Sequence, residues 1–358
     1  MDKNNGAIYD ARKLIKPKMK ILGVQHKFAK FGATILVPIL TGLDISTTLL
    51  MAGLGTLLFH CITKFKVPAF LGSSFAFLGG YAAIKAFSPN DPNSMLPYAC
   101  LGVACAGLIY FILAAVIKAV GIEKVMRFFP PVVTGPIIIA IGLGLAPSAV
   151  SNCTTNWFLA VVALAVIVVF NIWGKGMAKI IPIILGLLIS YGTGLVLYFI
   201  SQANPALIKN VPWLFSGGAD ANGVYQPIFD FTSLNTICDN ISKGHIFGSE
   251  GLIGIPIHWD KTVFGGIDYS NGALIASSII AIVPIAFATM MEHIGDICAI
   301  SSTTGNNYIK DPGLHRTLVG DGLATTLASL FGGPANTTYG ENTGVLALTR
   351  VYDPRVIR

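Results

Sequence analysis

The chain has 358 residues, of which 53% are hydrophobic and only 11% charged, with a formal net charge of +7. An ordinary soluble domain carries about 25% charged residues, so this composition excludes a soluble globular protein and predicts a polytopic, multi-pass membrane protein. The excess of Lys and Arg is then a topology signal and not a nucleic-acid footprint, and no nucleic-acid partner is expected.

A membrane-spanning helix needs about 20 predominantly apolar residues. Such stretches recur at 20–41, 47–63, 67–87, 95–117, 130–149, 156–174, 180–200, 273–297, 315–333 and 336–351, which predicts about ten crossings of the lipid bilayer. Arg12, Lys13, Lys16, Lys18 and Lys20 precede the first span and place the N-terminus in the cytoplasm, because Lys and Arg in short loops favour that side. Alternation puts Lys64 and Lys66, Lys118 with Lys124 and Arg127, Lys175 with Lys179, Lys310 with Arg316, and Arg350 with Arg355 on the same side. The outside loops at 88–94 and 147–156 contain no Lys or Arg. The basic start runs into a long span with no early small-residue cleavage site, so no cleavable signal peptide is expected.

The first span carries Gln25-His26 at its cytoplasmic end, four residues before Lys30; an interfacial His is the plain alternative to a functional one. The third span departs from the apolar pattern, opening on Pro68 and continuing into Gly72, Ser73 and Ser74. Cys61, Cys100, Cys105 and Cys298 fall in or beside spans, where Cys acts as a small apolar filler. Cys153 and Cys238 fall in outside loops, which leaves a disulfide open as an option. The stretch 201–272 reads as one long extracellular loop. His60, His245 and His258 have no partner at catalytic or metal-ligand spacing, so neither a metal site nor a cofactor is expected. Trp157, Trp173, Trp213 and Trp259 lie near span ends or in the outer loop, where interfacial belts enrich Trp.

The eighth span brings Glu292 and Asp296, which share a helix face at i and i+4. Two carboxyls so close in a low dielectric compete for a proton, which suits proton coupling. The plain alternative for Asp296 is a solvated acid at the cytoplasmic end of the span. The tenth span opens on Pro334 and runs through Asn336, Thr337 and Thr338 to Tyr339, Gly340 and Glu341. An ionisable group at membrane depth costs ~2.5 to 3.5 kcal/mol even on a lenient insertion scale, and so asks for a reason.

Both interrupted spans stand third in their series, if a second series begins at 273. Seven spans precede the outer loop, so the second series enters from the opposite side. Matching interrupted spans of this kind point to inverted repeats with a binding site at the midplane. Extended backbone there must face protein or a polar cavity. The helical half after each break aims its partly positive N-terminus at that cavity, which favours an electron-rich ligand edge. Close small-residue helix contacts are the bland alternative.

Together these segments resemble the nucleobase/ascorbate transporter family, specifically its bacterial uracil permease branch. The resemblance rests on Gln25-His26 followed by Phe31 to Pro38, on Val67 to Phe77, on Glu292-His293-Ile294-Gly295, on Asp311 to Arg316, and on Asn336 through Arg350. Only the long outer loop lacks a counterpart. Glu341 opening the signature Glu341-Asn342-Thr343-Gly344 to Thr349-Arg350 is similar to uracil permeases, whereas purine-type members usually have Gln there. The resemblance implies that Glu292 and Glu341 accept hydrogen bonds from a uracil ring, that Phe75 stacks on it, and that Ala33, Tyr339 and Gly340 line the pocket. It further implies proton-coupled uptake across the cytoplasmic membrane, with Glu292, Asp296, Gln25 and His26 as proton-coupling candidates, and a homodimer.

Two departures stand out. The family carries His four residues after the first Glu, where this chain has Asp296, and the expectation is that Asp296 substitutes in proton coupling. The family also has fourteen spans in two inverted repeats of seven. The fold class expected is therefore all-α and polytopic, with short extended breaks in spans 3 and 10 and about ten of fourteen spans present. The segments expected are 1–118 for the first core helices (spans 1–4), 119–200 for the first gate helices (spans 5–7), 201–272 for the extracellular loop, and 273–358 for the second core helices (spans 8–10), stopping before span 11. The expectation is of an incomplete permease. A purine or xanthine permease is the runner-up, a passive nucleobase channel is less favoured, and an enzyme is not expected because no nucleophile, phosphate loop or metal ligand set stands out.

Overall fold

The computed structural model describes residues 7–13, 16–121, 123–124, 131–175, 178, 182–220, 222–232 and 257–357. Side chains within helices and strands are described except at scattered positions, which include Gln25, Ala33 and Glu341. Two compact units emerge, one formed by Met1–Ile141 with Pro256–Arg358 and the other by Gly142–Ile255.

In the first unit α1 covers Lys16–Thr41 and α2 covers Ile45–Ile62. Asp44 starts α2 by accepting from the Thr47 amide at 2.6 Å, which satisfies one of the free N–H groups of the first turn. The strand β1 (Leu71–Ser73) and the short helix α3 (Leu78–Lys85) follow. Helix α4 (Leu96–Val120) has Pro97 in its first turn and ends at Gly121, whose φ of +90° turns the chain out of the helix. Helix α5 (Pro131–Cys153) contains the division between the units.

The expected eighth span is two helices, α8 (Gly272–Ile282) and α9 (Ile285–Thr304). The interruption falls at Val283 and Pro284, where proline has no N–H to continue the ladder. Helix α10 (Leu314–Leu330), strand β4 (Asn336–Thr338) and helix α11 (Glu341–Thr349) complete this unit, followed by a turn of helix at Pro354–Ile357. Helices α4 and α10 cross where Gly107 meets Gly322. A Cβ on Gly107 would lie 2.7 Å from the Gly322 carbonyl oxygen, and one on Gly322 would lie 2.6 Å from that of Gly107. Two absent side chains therefore set the backbone separation, as small residues do between membrane helices.

The second unit contains α6 (Trp157–Trp173) and α7 (Pro182–Ala203), packed along each other. Asn156 caps α6 by accepting from the Leu159 amide at 3.0 Å and donates to the Ser216 carbonyl at 2.8 Å. The expected outer loop contains structure that a loop assignment overlooks. Strand β2 (Ser216–Ala219) pairs antiparallel with β3 (Tyr225–Pro227) after two short helices. Cys153 is a free thiol, so the disulfide option is not taken up; Cys238 and His245 lie outside the described residues.

Among the described residues, Ile45–Ile62, Pro92–Val120, Ile184–Ala203 and Gly272–Thr304 are long and apolar enough to cross a membrane, and Trp157–Trp173 and Lys30–Thr41 are shorter apolar helices. Exposed Val161, Leu164 and Ile172 on α6 and Ile112 on α4 suit contact with lipid tails.

At the chain termini, the Ile8 amide donates to the Arg350 carbonyl and the Tyr352 amide to the Ile8 carbonyl, both at 2.8 Å. The Ala11 amide donates to Asp353 Oδ2 at 2.6 Å. Exposed Asp10 receives hydrogen bonds from the Arg12 side chain and amide, which hold its carboxyl down at about 2, with a further contribution from Arg355.

Candidate functional site

The site candidate lies in the first unit, where the two interrupted segments meet. Strands β1 and β4 pair antiparallel in the register Leu71 with Thr338, Gly72 with Thr337 and Ser73 with Asn336. Flanking bonds extend the ladder: Ser74 N–H donates to the Ala335 carbonyl at 3.0 Å, and Tyr339 N–H to the Phe70 carbonyl at 3.1 Å. Each strand thus satisfies polar backbone groups that lipid could not. Pro68 and Pro334 keep the approach to each strand out of helical register.

Neighbouring helices meet the remaining needs. Thr56 Oγ1 accepts from the Leu71 amide at 3.1 Å, and Thr325 Oγ1 donates to the Asn336 carbonyl at 3.1 Å. The Asn336 amide donates to the Met51 carbonyl at 2.9 Å. A methyl on Gly55 would overlap that amide, so the glycine is what lets Asn336 reach α2.

After β4 the chain passes through Tyr339 and Gly340 into α11, whose first residue is Glu341. Tyr339 is buried and its hydroxyl donates to the Ser73 carbonyl at 2.7 Å, tying the start of α11 to β1. Ser73 in turn donates through its hydroxyl to the Thr34 carbonyl at 3.1 Å. Asp296, on α9, presses its carboxylate against Gly340; a Cβ there would lie 2.5 Å from Oδ1. An acid beside the N-terminal turn of a helix is stabilised by the free amides and the helix dipole. The solvated-end alternative for Asp296 does not describe this placement, since the residue is half-buried against the break.

Glu292 lies one turn before Asp296 on α9 and is half-buried. Phe75 is also half-buried and sits between β1 and α3, with its carbonyl accepting from the Leu78 amide at 3.1 Å. His26 on α1 is fully buried beside the buried Asn342 of α11. Gln25 and Ala33 are placed along α1 and Glu341 at the start of α11, but their side chains lie outside the described residues. Structure therefore brings Asp296, Tyr339 and Gly340 together at one break, and His26 beside the residue after Glu341.

Sequence reasoning missed three features. His293 Nδ1 lies 3.0 Å from Thr338 Oγ1 and 3.4 Å from Asp321 Oδ2, with both the His and Asp side chains fully buried. Asp321 Oδ1 also accepts from the Thr338 amide at 2.8 Å, so one carboxylate braces β4 against both α9 and α10. Asp321 inside an apolar span was a signal that the rarity of intramembrane acids could have raised. The second is the Tyr110 hydroxyl, which donates to Thr289 Oγ1 at 2.7 Å between α4 and α9. The third is Lys30, buried on α1, whose Nζ donates to the Leu71 carbonyl and lies 3.4 Å over the Phe70 ring centroid. Among the described residues, no group of His, Cys, Asp and Glu is arranged to hold a metal.

Comparison with known proteins agrees with the sequence resemblance. A family model described as a permease family matches residues 17–358. The uracil permease of Bacillus caldolyticus is 37% identical over 345 residues, covering 94% of this chain and 68% of that protein. The probable uracil permease of Haemophilus influenzae is 37% identical over 351 residues, covering 96% of this chain and 70% of that one. Among solved structures, the transmembrane domain of a cyanobacterium bicarbonate transporter matches with a TM-score of 0.47 and 13% identity, covering 96% of this chain and 80% of that one.

Proposed function

The chain belongs to the permease family, the nucleobase/ascorbate transporters whose motifs it carries, and from that premise we propose that it is a uracil:proton symporter working by alternating access. The reading is supported by relatives named as uracil permeases at 37% identity. The observation that carries it is the paired break: β1 and β4 hold the start of α11, with Gly340 and Glu341, against the acid-bearing face of α9.

In this reading Glu292 and Glu341 accept the two ring N–H groups of uracil, because carboxylates are acceptor-only when ionised. Phe75 covers the ring face, and Ala33, Tyr339 and Gly340 close the pocket. Asp296 holds the coupling proton at the start of α11, with His26 and Gln25 on the α1 side of the relay. The repeats are inverted, the crossings number about ten in this chain, and the N-terminus faces the cytoplasm.

Competition against labelled uracil in membranes containing the full chain tests the substrate assignment. Unlabelled uracil is expected to displace the label while xanthine leaves it bound, because a site built to hydrogen-bond one ring leaves polar groups unpaired with another. Displacement by xanthine with equal potency would replace the reading with that of a purine permease.

A further inference from the structure

A groove on the first unit, which borders the break at Lys30 and Phe70 and opens away from it along α1 and α2, has a composition that the transport reading does not use. It has a volume of about 600 Å³ and is walled by α1, α2 and the terminal turn at Pro354–Ile357. Its lining includes Lys20, Lys27, Lys30 and Arg355, and no carboxylate among the described residues. A second cavity of about 350 Å³ continues it along α2, sharing Leu49, Gly53, Phe70 and Ile357 and adding Leu54 and Leu57. The combined surface has a basic mouth and an apolar extension.

Helix periodicity explains how the sequence builds it. Lys20, Lys27 and Lys30 stand at i, i+7 and i+10 on α1, a stripe along one face that spans about 15 Å at 1.5 Å per residue. On α2, Leu49, Gly53 and Leu57 stand at i, i+4 and i+8 on the face that meets it. A Cβ built on Gly53 has nothing within 4 Å, so the glycine leaves open space in the groove wall. Leu49, Leu54 and Leu57 are 37%, 42% and 45% exposed, an apolar strip with no covering side chains among the described residues.

The cations differ in how far they are engaged. Lys30 donates to the Leu71 carbonyl and sits over Phe70. Arg355 lies 3.2 Å from Asp10 and 3.9 Å from Asp353. Lys20 and Lys27 are exposed and make no ion pair among the described residues. Topology accounts for a basic residue at the mouth, but not for two further lysines facing the same groove beside an apolar strip.

We propose that this groove binds one anionic phospholipid, with its headgroup phosphate between Lys20 and Lys27 and an acyl chain along Leu49, Leu54 and Leu57. Charge selects the headgroup, since basic pockets between membrane helices attract anionic lipid heads and each Lys near the surface contributes to that attraction. The apolar extension selects a lipid over a free anion, because only a chain-bearing ligand buries that strip. The lipid contacts, Lys20 and Lys27 with Leu49, Leu54 and Leu57, are none of the residues that the substrate reading uses.

The test reconstitutes the full chain into nanodiscs of phosphatidylcholine and titrates phosphatidylglycerol of identical acyl chains, reading thermal unfolding and retained lipid by native mass spectrometry. Phosphatidylglycerol is expected to be retained about tenfold more readily than phosphatidylcholine. The Lys20→Gln, Lys27→Gln double variant is expected to erase that preference. Gly53→Leu, which enters open space, is expected to fold and to lower retention of both lipids about tenfold. Inorganic phosphate at matched concentration is expected to give no stabilisation. Equal retention of the two lipids, an unchanged preference in the double variant, unchanged retention in Gly53→Leu, or stabilisation by inorganic phosphate alone would each overturn the proposal.

Discussion

Gly340 and Asp296 are packed so closely that a methyl group on the glycine would sit 2.5 Å from the carboxylate oxygen Oδ1. The contact joins the two sequence features that stood out separately, the polar break of the tenth span and the second acid of the eighth. It also gives the acid a reason to be where it is, facing the first turn of α11.

Gly340→Ala therefore tests the geometry. The added methyl must displace either the carboxylate or the start of α11, and overpacking of this kind typically costs about 1 to 3 kcal/mol. The expected outcome is a fall in uracil uptake of about tenfold or more with normal membrane insertion, measured by initial rates normalised to protein. Unchanged uptake would mean that the contact is incidental.

Asp296→Asn separates proton handling from binding. Asparagine keeps the size of the side chain while removing its titratable proton. Uracil binding is expected to persist within a few-fold, and accumulation against a gradient is expected to vanish, as judged from equilibrium binding and from uptake driven by an imposed pH gradient. Full accumulation by the variant would remove Asp296 from the coupling scheme.

Asp321→Ala is expected to be the most damaging of the core changes. It deprives the Thr338 amide of its acceptor and His293 of its buried partner, and each buried group left unsatisfied costs about 1 to 3 kcal/mol. Thermal unfolding in detergent should register the loss. Combined with His293→Ala in a double-mutant cycle, the effects should be strongly non-additive; additive effects would show that the two residues act apart.

Gly55→Ala should loosen β4 from α2 by pushing the Asn336 amide off the Met51 carbonyl. Leaving that buried amide donor unpaired costs about 1 to 3 kcal/mol. Asn336→Ala should relieve most of the additional defect in the double variant, since the overlap disappears with the amide; an unrelieved double variant would point to another clash.

The pH dependence of the N-terminal tie follows from Asp10. Its carboxyl is lowered from 3.8 to about 2 by Arg12 and also Arg355, so its contribution is fully present above 3.8 and is lost as pH falls through about 2. Protease sensitivity of the segment preceding α1 should be flat between about pH 5 and 8. A steep change in that window would implicate another group.

Much of the break was legible in the sequence because Pro, Gly, Ser, Thr and Asn within an apolar chain contradict a plain span at 67–80 and 332–342. The i, i+4 spacing of Glu292 and Asp296 was equally visible. Their consequences were not, because the pairing of Leu71 with Thr338 joins residues far apart in sequence and no local signal sets its register. The same holds for His293 with Asp321, whose partnership depends on how α9 meets α10. Lys30 was read only as a marker of position along the first span, although its burial over Phe70 is a tertiary fact. The hairpin of β2 and β3 was hidden by its glycines and polar residues, which read as loop.

The most direct measurement is saturable uptake of labelled uracil by cells that lack their own uracil permease and express this chain, with and without a proton uncoupler. The account predicts saturable uptake that the uncoupler abolishes and that Asp296→Asn reduces to the background of cells without the chain, a result that would overturn the expectation of an incomplete permease. Saturable uptake unaffected by the uncoupler would contradict proton coupling, and no uptake by correctly inserted protein would contradict transport by this chain.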